Sequence, residues 1–360
     1  MKALIMSVTV LAMFCWCGEM QAEQAKTAKA ITVLNDLAVL GLKGKVKNLN
    51  ESTCDAVIKD GEIQKGNVRE KKVTLFNAKG NITEISKFGK DEKLESKTVV
   101  KYDGSDRKTE EVESKSDGSL ISKTTFKYDN SGSLIERLKS AVNEYDKNKT
   151  MEFKDTFKYD DNGNMVEHGW YSVGNLTMKT ICKYDTQGNM IDVTLAKPDG
   201  SLSNHDVFNA KGYMIESNEY KTDGKLSLKY TYKHDDNVLK PRKLTFWREE
   251  ENTKGNPLET CAYNPDGSLK EKKVSKNTYD AKGNLTEANN YKSDGSVESR
   301  GTYKYDAQGN KIEFCVYNAD GTRGDKYTWK YDNAGNWIVK AYTFSNNEFK
   351  RYMEREIKYY

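Results

Sequence analysis

The feature that most restricts what this chain can fold into is a short corner that recurs along most of its length. The stretch Tyr303 to Phe314, Tyr-Lys-Tyr-Asp-Ala-Gln-Gly-Asn-Lys-Ile-Glu-Phe, reads as a strand, a tight turn and a returning strand. Its corner is Tyr305, Asp306 and Gly309. The same spacing returns at Tyr128, Asp129 and Gly132, at Tyr159, Asp160 and Gly163, at Tyr184, Asp185 and Gly188, at Tyr279, Asp280 and Gly283, and at Tyr331, Asp332 and Gly335. Looser copies run Phe76 to Gly80 and Phe208 to Gly212. An Asp or Asn in first place accepts a hydrogen bond from backbone two residues on, and a Gly in fourth place tolerates positive φ. A type I turn followed by a left-handed Gly is a common hairpin connection, and its bulge adds twist. The flanks are β-branched and aromatic, as strands prefer.

A second signal alternates with the first. Asp-Gly pairs at Asp117, Asp199, Asp223, Asp266, Asp294 and Asp320 read as a shorter hairpin turn. Glycines 188, 200, 212 and 224 step by 12, and glycines 283, 295, 309, 321 and 335 step by 12, 14, 12 and 14. One step holds one strand and one turn, so the chain runs up and down between neighbouring strands. The expected fold is all-β, an antiparallel hairpin meander. Twist accumulates over so many strands. The meander is therefore expected to be rolled or spiralled into one extended sheet. A β-propeller with two repeat units per blade is the alternative.

Side-chain positions repeat with the turns. A β-branched residue and then an acid follow most turn glycines, as at Val166-Glu167 and Ile312-Glu313, and a Lys precedes most turn tyrosines, as at Lys158 and Lys304. Successive residues of a strand face opposite sides of the sheet, so stacking predicts ladders of Tyr, of Ile, and of Lys with Glu. Such cross-strand pairs contribute roughly 0.2–1 kcal/mol each, and cooperativity must come from their number.

Only 36% of the chain is hydrophobic and mean hydropathy is −0.85, but 22 tyrosines supply large aromatic area for a core. The 58 basic and 54 acidic residues are interspersed, which argues for a mixed soluble surface and against a nucleic-acid footprint.

Residues 1–22 read as an export signal: Lys2, an apolar run from Ala3 to Trp16, and a small residue, Ala22, at the cut. The run is short for a membrane span, and no later stretch is apolar enough for one. Phe14 and Trp16 precede Cys15 and Cys17 where a lipid-attachment motif has small residues, so lipid anchoring is the minor reading. The expected location is the periplasm, the cell surface or the medium. Residues 23–70 form a leader and a first hairpin turning at Lys59-Asp60-Gly61-Glu62, and residues 71–360 form the repeat array. Two places break the register: 140–154, a longer charged connection, and 234–256, read as a decorated hairpin.

Chemistry is sparse. Cys182 and Cys261 each stand two residues before a tyrosine, in the slot that holds Phe126, Phe157 and Trp329 elsewhere, and read as small buried hydrophobes. With no Cys-x-x-Cys or Cys/His spacing, no metal site is assigned. Asp160 to Asn164 lacks the distal Glu of a calcium loop and reads as a turn. The three histidines form no catalytic arrangement, and His234 replaces a turn tyrosine. A glycosidase acid pair is needed once, whereas these carboxylates recur everywhere, so no catalytic residue, cofactor or enzymatic activity is assigned. Trp170 and Trp247 lie outside the plainest register and, with Tyr171, are the candidate binding platform. The expected partner is a glycan or a protein of the cell envelope. A purely structural, shell-type repeat protein is the alternative, and a glycoside hydrolase the least favoured.

The Tyr-Asp-x-x-Gly-Asn array over residues 71–360 resembles the YD (RHS) repeat family of bacterial secreted and surface proteins. The resemblance implies a spiralling β-sheet shell, with carbohydrate binding suggested for its repeats. Large members of that family enclose a C-terminal toxin. This chain lacks the family's Asp-Pro-containing boundary motif, and toxin delivery is not expected of it.

Overall fold

The computed structural model describes residues 35–59, 62–143, 146, 149–234, 257–344 and 350–360. The expected export signal, the Asp60-Gly61 turn, the decorated hairpin beyond His234 and Trp247 lie outside the described residues. Among the described residues, one short helix, α1 (Asp36–Val39), is followed only by strands, from β1 (Val46–Lys59) and β2 (Glu62–Phe76) to β21 (Trp337–Thr343) and β22 (Lys350–Tyr359). The 22 strands belong to one sheet.

That sheet is closed. β1 pairs antiparallel with β2, Asn48 opposite Leu75, and on its other side with β22, Val46 opposite Tyr359 and Asp55 opposite Arg351. The topology is that of a closed antiparallel barrel, which overturns both the open rolled or spiralled sheet and the propeller. An open sheet leaves two rows of unpaired backbone groups at its edges, and closure removes them. Neither β1 nor β22 carries the Tyr-Asp corner, so their pairing left no mark in the repeat pattern.

The described residues fall into two compact units: Lys127–Arg137 with Phe153–Lys272, and Asn35–Phe126 with Leu138–Glu152 and Lys273–Tyr360. The first has a core of Phe157, Met165, Cys182, Val193 and Phe208, with Tyr159 and Tyr184 packed against it. The second has a core of Leu37, Leu42, Val46, Leu49, Phe76, Ile82 and Val100. There α1 lies over the first corner: Leu37 N–H donates to the Gly80 carbonyl at 3.0 Å, and the Asp36 carboxylate accepts from Ile82 N–H at 2.7 Å and from the Tyr102 hydroxyl at 2.8 Å. The 3.6-residue period that would have marked this helix is too short to see in four residues.

The two turn signals build one loop. At the Tyr-Asp corner, Asp160 N–H donates to the Asn164 carbonyl and Gly163 N–H to the Asp160 carbonyl, both at 2.9 Å. At the Asp-Gly corner, Lys197 N–H donates to the Ser201 carbonyl at 2.8 Å and Gly200 N–H to the Lys197 carbonyl at 2.9 Å. Gly163 and Gly200 have φ of 79° and 83°. The Asp-Gly turn is therefore no shorter; its Asp stands in third place instead of first. The Asp160 carboxylate accepts from the backbone N–H of Asn162 and Asn164, and the Asp199 carboxylate from the N–H and hydroxyl of Ser201. Two further corners use the same loop without glycine in fourth place, where Glu92 and Asp106 take φ of 59° and 62°.

Candidate functional site: two faces of a repeating sheet

Strand alternation sorts the side chains onto two faces. One carries the corner tyrosines and the cores. In β8 (Thr150–Tyr159) it holds Phe153, Asp155, Phe157 and Tyr159; in β10 (Asn175–Tyr184) it holds Met178, Thr180, Cys182 and Tyr184. The corner hydroxyls reach back one repeat. Tyr159 donates to the Leu134 carbonyl at 2.8 Å, Tyr184 to Met165 at 2.8 Å and Tyr331 to Lys311 at 2.9 Å. Each acceptor follows the previous corner, where the ladder shifts register and frees a carbonyl. In the corner slot of its own copy, His234 Nε2 donates to the Met214 carbonyl at 2.7 Å.

One group on this face is unlike the rest. Arg137, Asp155 and His168 are all buried, on β7 (Leu134–Val142), β8 and β9 (Met165–Ser172). Arg137 Nε donates to Asp155 Oδ2 at 2.8 Å, and His168 Nε2 lies 3.0 Å from Asp155 Oδ1. Burial holds the His168 imidazole below its usual pKa, against the pull of Asp155. Burial alone would raise Asp155, but His168 and Arg137 outweigh it and hold the carboxyl low. His168 is stacked against Phe157 at 4.6 Å. The group has no exposed member, and the buried Cys182 thiol on the same face is pushed up to about 11.

The other face is a ladder of charge. Glu167 lies between Lys158 and Lys179, each 2.9 Å away on β8 and β10. Glu110 on β5 (Lys108–Lys115) lies between Lys101 at 2.7 Å and Lys123 at 2.6 Å, and Glu313 between Lys304 at 2.7 Å and Lys326 at 3.0 Å. On β11 (Met190–Ala196), Asp192 lies between Lys183 at 3.5 Å and His205 at 2.8 Å. Burial would raise the Glu167 carboxyl, but hydrogen bonds from both lysines bring it below the usual range. Glu110, held by its two lysines, is lowered to about 2. The expected Lys/Glu ladder thus has a second cation per acid. Its sequence signal, a basic residue five places before the corner tyrosine as at Lys97, Lys123, Lys179 and Lys326, is regular.

The candidate platform divides between the faces. Trp170 stands opposite Asp155 on the core face, with its ring 4.1 Å from His168. Tyr171, the next residue, is on the charged face, where Lys154 Nζ lies 4.6 Å above its ring. Trp329 is buried beside Tyr327. All four described cysteines are free and buried. Cys182 packs in the core, but Cys261 does not share its slot. Cys261 stands between Glu259, paired with Lys272, and Tyr263 before an Asp-Gly corner, as Cys315 stands between Glu313 and Tyr317. The two corner types look alike two residues upstream, which hid the difference. Among the described residues no group of three or more His, Cys, Asp or Glu is placed to hold a metal ion, and no helix is long and apolar enough to cross a membrane.

No family model and no curated protein matches the chain. Among solved structures it is similar to a porin-like protein from Bacteroides uniformis, 10% identical over 88% of this chain and 99% of that one, with a TM-score of 0.28. It is similar also to a porin-like protein from Bacteroides vulgatus, 12% identical over 73% and 99%, with a TM-score of 0.26. A third is the Tc holotoxin pore of Photorhabdus luminescens, 10% identical over 83% of this chain but only 26% of that chain, with a TM-score of 0.14.

Proposed function

We propose that the chain is an exported, non-enzymatic β-repeat protein that binds carbohydrate or protein at the bacterial cell envelope. One observation carries the reading: the accessible polar groups are distributed as the same Lys–acid–Lys rung on strand after strand, with each acid neutralised by its neighbours. An extended, repetitive partner fits such a surface, whereas a reaction centre needs unlike groups converging once. Neither face offers the apolar band of a lipid-embedded barrel. One holds the lysine ladder and the other holds Arg137, Asp155, His168, Asp206 and Lys340, all buried. Retention of the full chain on immobilised envelope polysaccharides or envelope proteins tests the proposal. Retention on none leaves the purely structural, shell-type reading. Mass spectrometry of the mature N-terminus tests export, with cleavage after Ala22 as the expected outcome.

A further inference from the structure

The charged face is layered in height as well as patterned. In the first unit Lys127 pairs with Glu136 at 2.6 Å, with side-chain exposures of 67% and 23%. Lys158 and Glu167 show 70% and 23%, and Lys183 and Asp192 show 65% and 17%. The acids lie low against the sheet and the ammonium groups stand above them. Each down-strand brings one acid, while the flanking up-strands bring two cations, as Lys158 and Lys179 do to Glu167. Where two lysines meet one acid, as at Glu167, interspersed charge in the sequence becomes a local surplus of positive charge on this face.

We infer that the row Lys127, Lys158 and Lys183 is the docking line for a linear anionic polysaccharide carrying one carboxylate or similar group per disaccharide. This rests on the carbohydrate half of the reading above and names its ligand class and its place. The three lysines stand on β6 (Leu120–Tyr128), β8 and β10. Alternate strands lie about 9.5 Å apart, a step comparable to that of a β-linked disaccharide. Double-stranded DNA carries a charge about every 1.7 Å of its axis, far denser than this row. Tyr171 is the one aromatic ring beside the row among the described residues, under Lys154, and no ring recurs from strand to strand as stacked single-stranded bases need. Thr125, Thr156 and Ile181 occupy the same face beside it.

The test compares the full chain with Lys127→Gln/Lys158→Gln/Lys183→Gln and with a control, Lys197→Gln/Lys221→Gln/Lys225→Gln, which removes equal charge at the Asp-Gly corners. Circular dichroism confirms the fold of each. Probes are hyaluronate oligosaccharides, neutral dextran and a DNA duplex at one fixed salt concentration. The expected result is that hyaluronate binds, the row variant weakens it about tenfold or more, and the control changes it less than about twofold. Equal losses in both variants, or DNA binding as tight as hyaluronate, overturn the inference. Dextran binding that is unchanged in the row variant overturns it while leaving carbohydrate recognition standing. Failure of the wild-type chain to bind either polysaccharide removes both.

Discussion

The hydroxyl of Tyr184 donates to the main-chain carbonyl of Met165 across 2.8 Å, tying one corner to the corner before it. This bond explains why the tyrosine belongs to the motif when a phenylalanine would fill the same space. The carbonyl it satisfies lies where the β8–β9 ladder shifts register, at Tyr159 opposite Met165. Tyr184→Phe is expected to cost about 1–3 kcal/mol, because it leaves a partly buried acceptor without a donor. Urea unfolding measures it. A loss within error would mean water replaces the hydroxyl.

Glu92 holds a left-handed conformation, φ 59°, in a loop whose fourth place is glycine at most other corners and Asp106 at one. Its N–H donates to the Gly89 carbonyl at 3.0 Å, as Gly163 donates to Asp160. Glu92→Gly is expected to stabilise the protein by about 1 kcal/mol, and Gly163→Ala to destabilise it by a similar amount. Thermal unfolding of the pair should move in opposite directions.

Asp206 is buried, accepts from Asn204 Nδ2 at 2.7 Å, and its carboxyl is raised chiefly by burial. With a folded pKa above the unfolded value near 3.8, the fold favours the protonated form. Stability from this group is present below that value and is lost as pH rises through the folded pKa. Asp206→Asn should therefore raise the melting temperature at pH 7, and the gain should vanish near pH 3.

Glu110 has the opposite sign. Its carboxyl is lowered to about 2 by Lys101 and Lys123. The stability it lends is present above pH 4.5 and is lost as pH falls toward 2. NMR titration of the wild type should place its midpoint well below that of an isolated glutamate, and Lys101→Gln/Lys123→Gln should return it to the ordinary range.

Much of the architecture was legible because turn chemistry is local. Gly188, Gly309 and Gly335 all take positive φ, of 78°, 82° and 81°, at chain reversals. Closure was not legible, because the contacts that make it join residues as far apart as Asn50 and Glu356 and use neither repeated motif. The corners at Glu92 and Asp106 escaped notice because strain, not glycine, supplies their conformation. Of the functional surface, the first lysine and the acid of each rung were visible from their distance to the turn. The second cation is equally periodic but stands four residues further from the corner, where it meets the acid of the preceding strand. Trp170 and Tyr171 are adjacent in sequence, and alternation separates them onto opposite faces.

The pairing of β1 with β22 also sets an order of assembly. Hairpins such as β8–β9 can form as soon as their few residues are available, but β1 must wait for a partner about three hundred positions downstream. Until Tyr359 arrives beside Val46, the array is an open ribbon whose leading border displays vacant main-chain groups, so ring completion is expected to be the slow step and the interval of greatest exposure to misassociation.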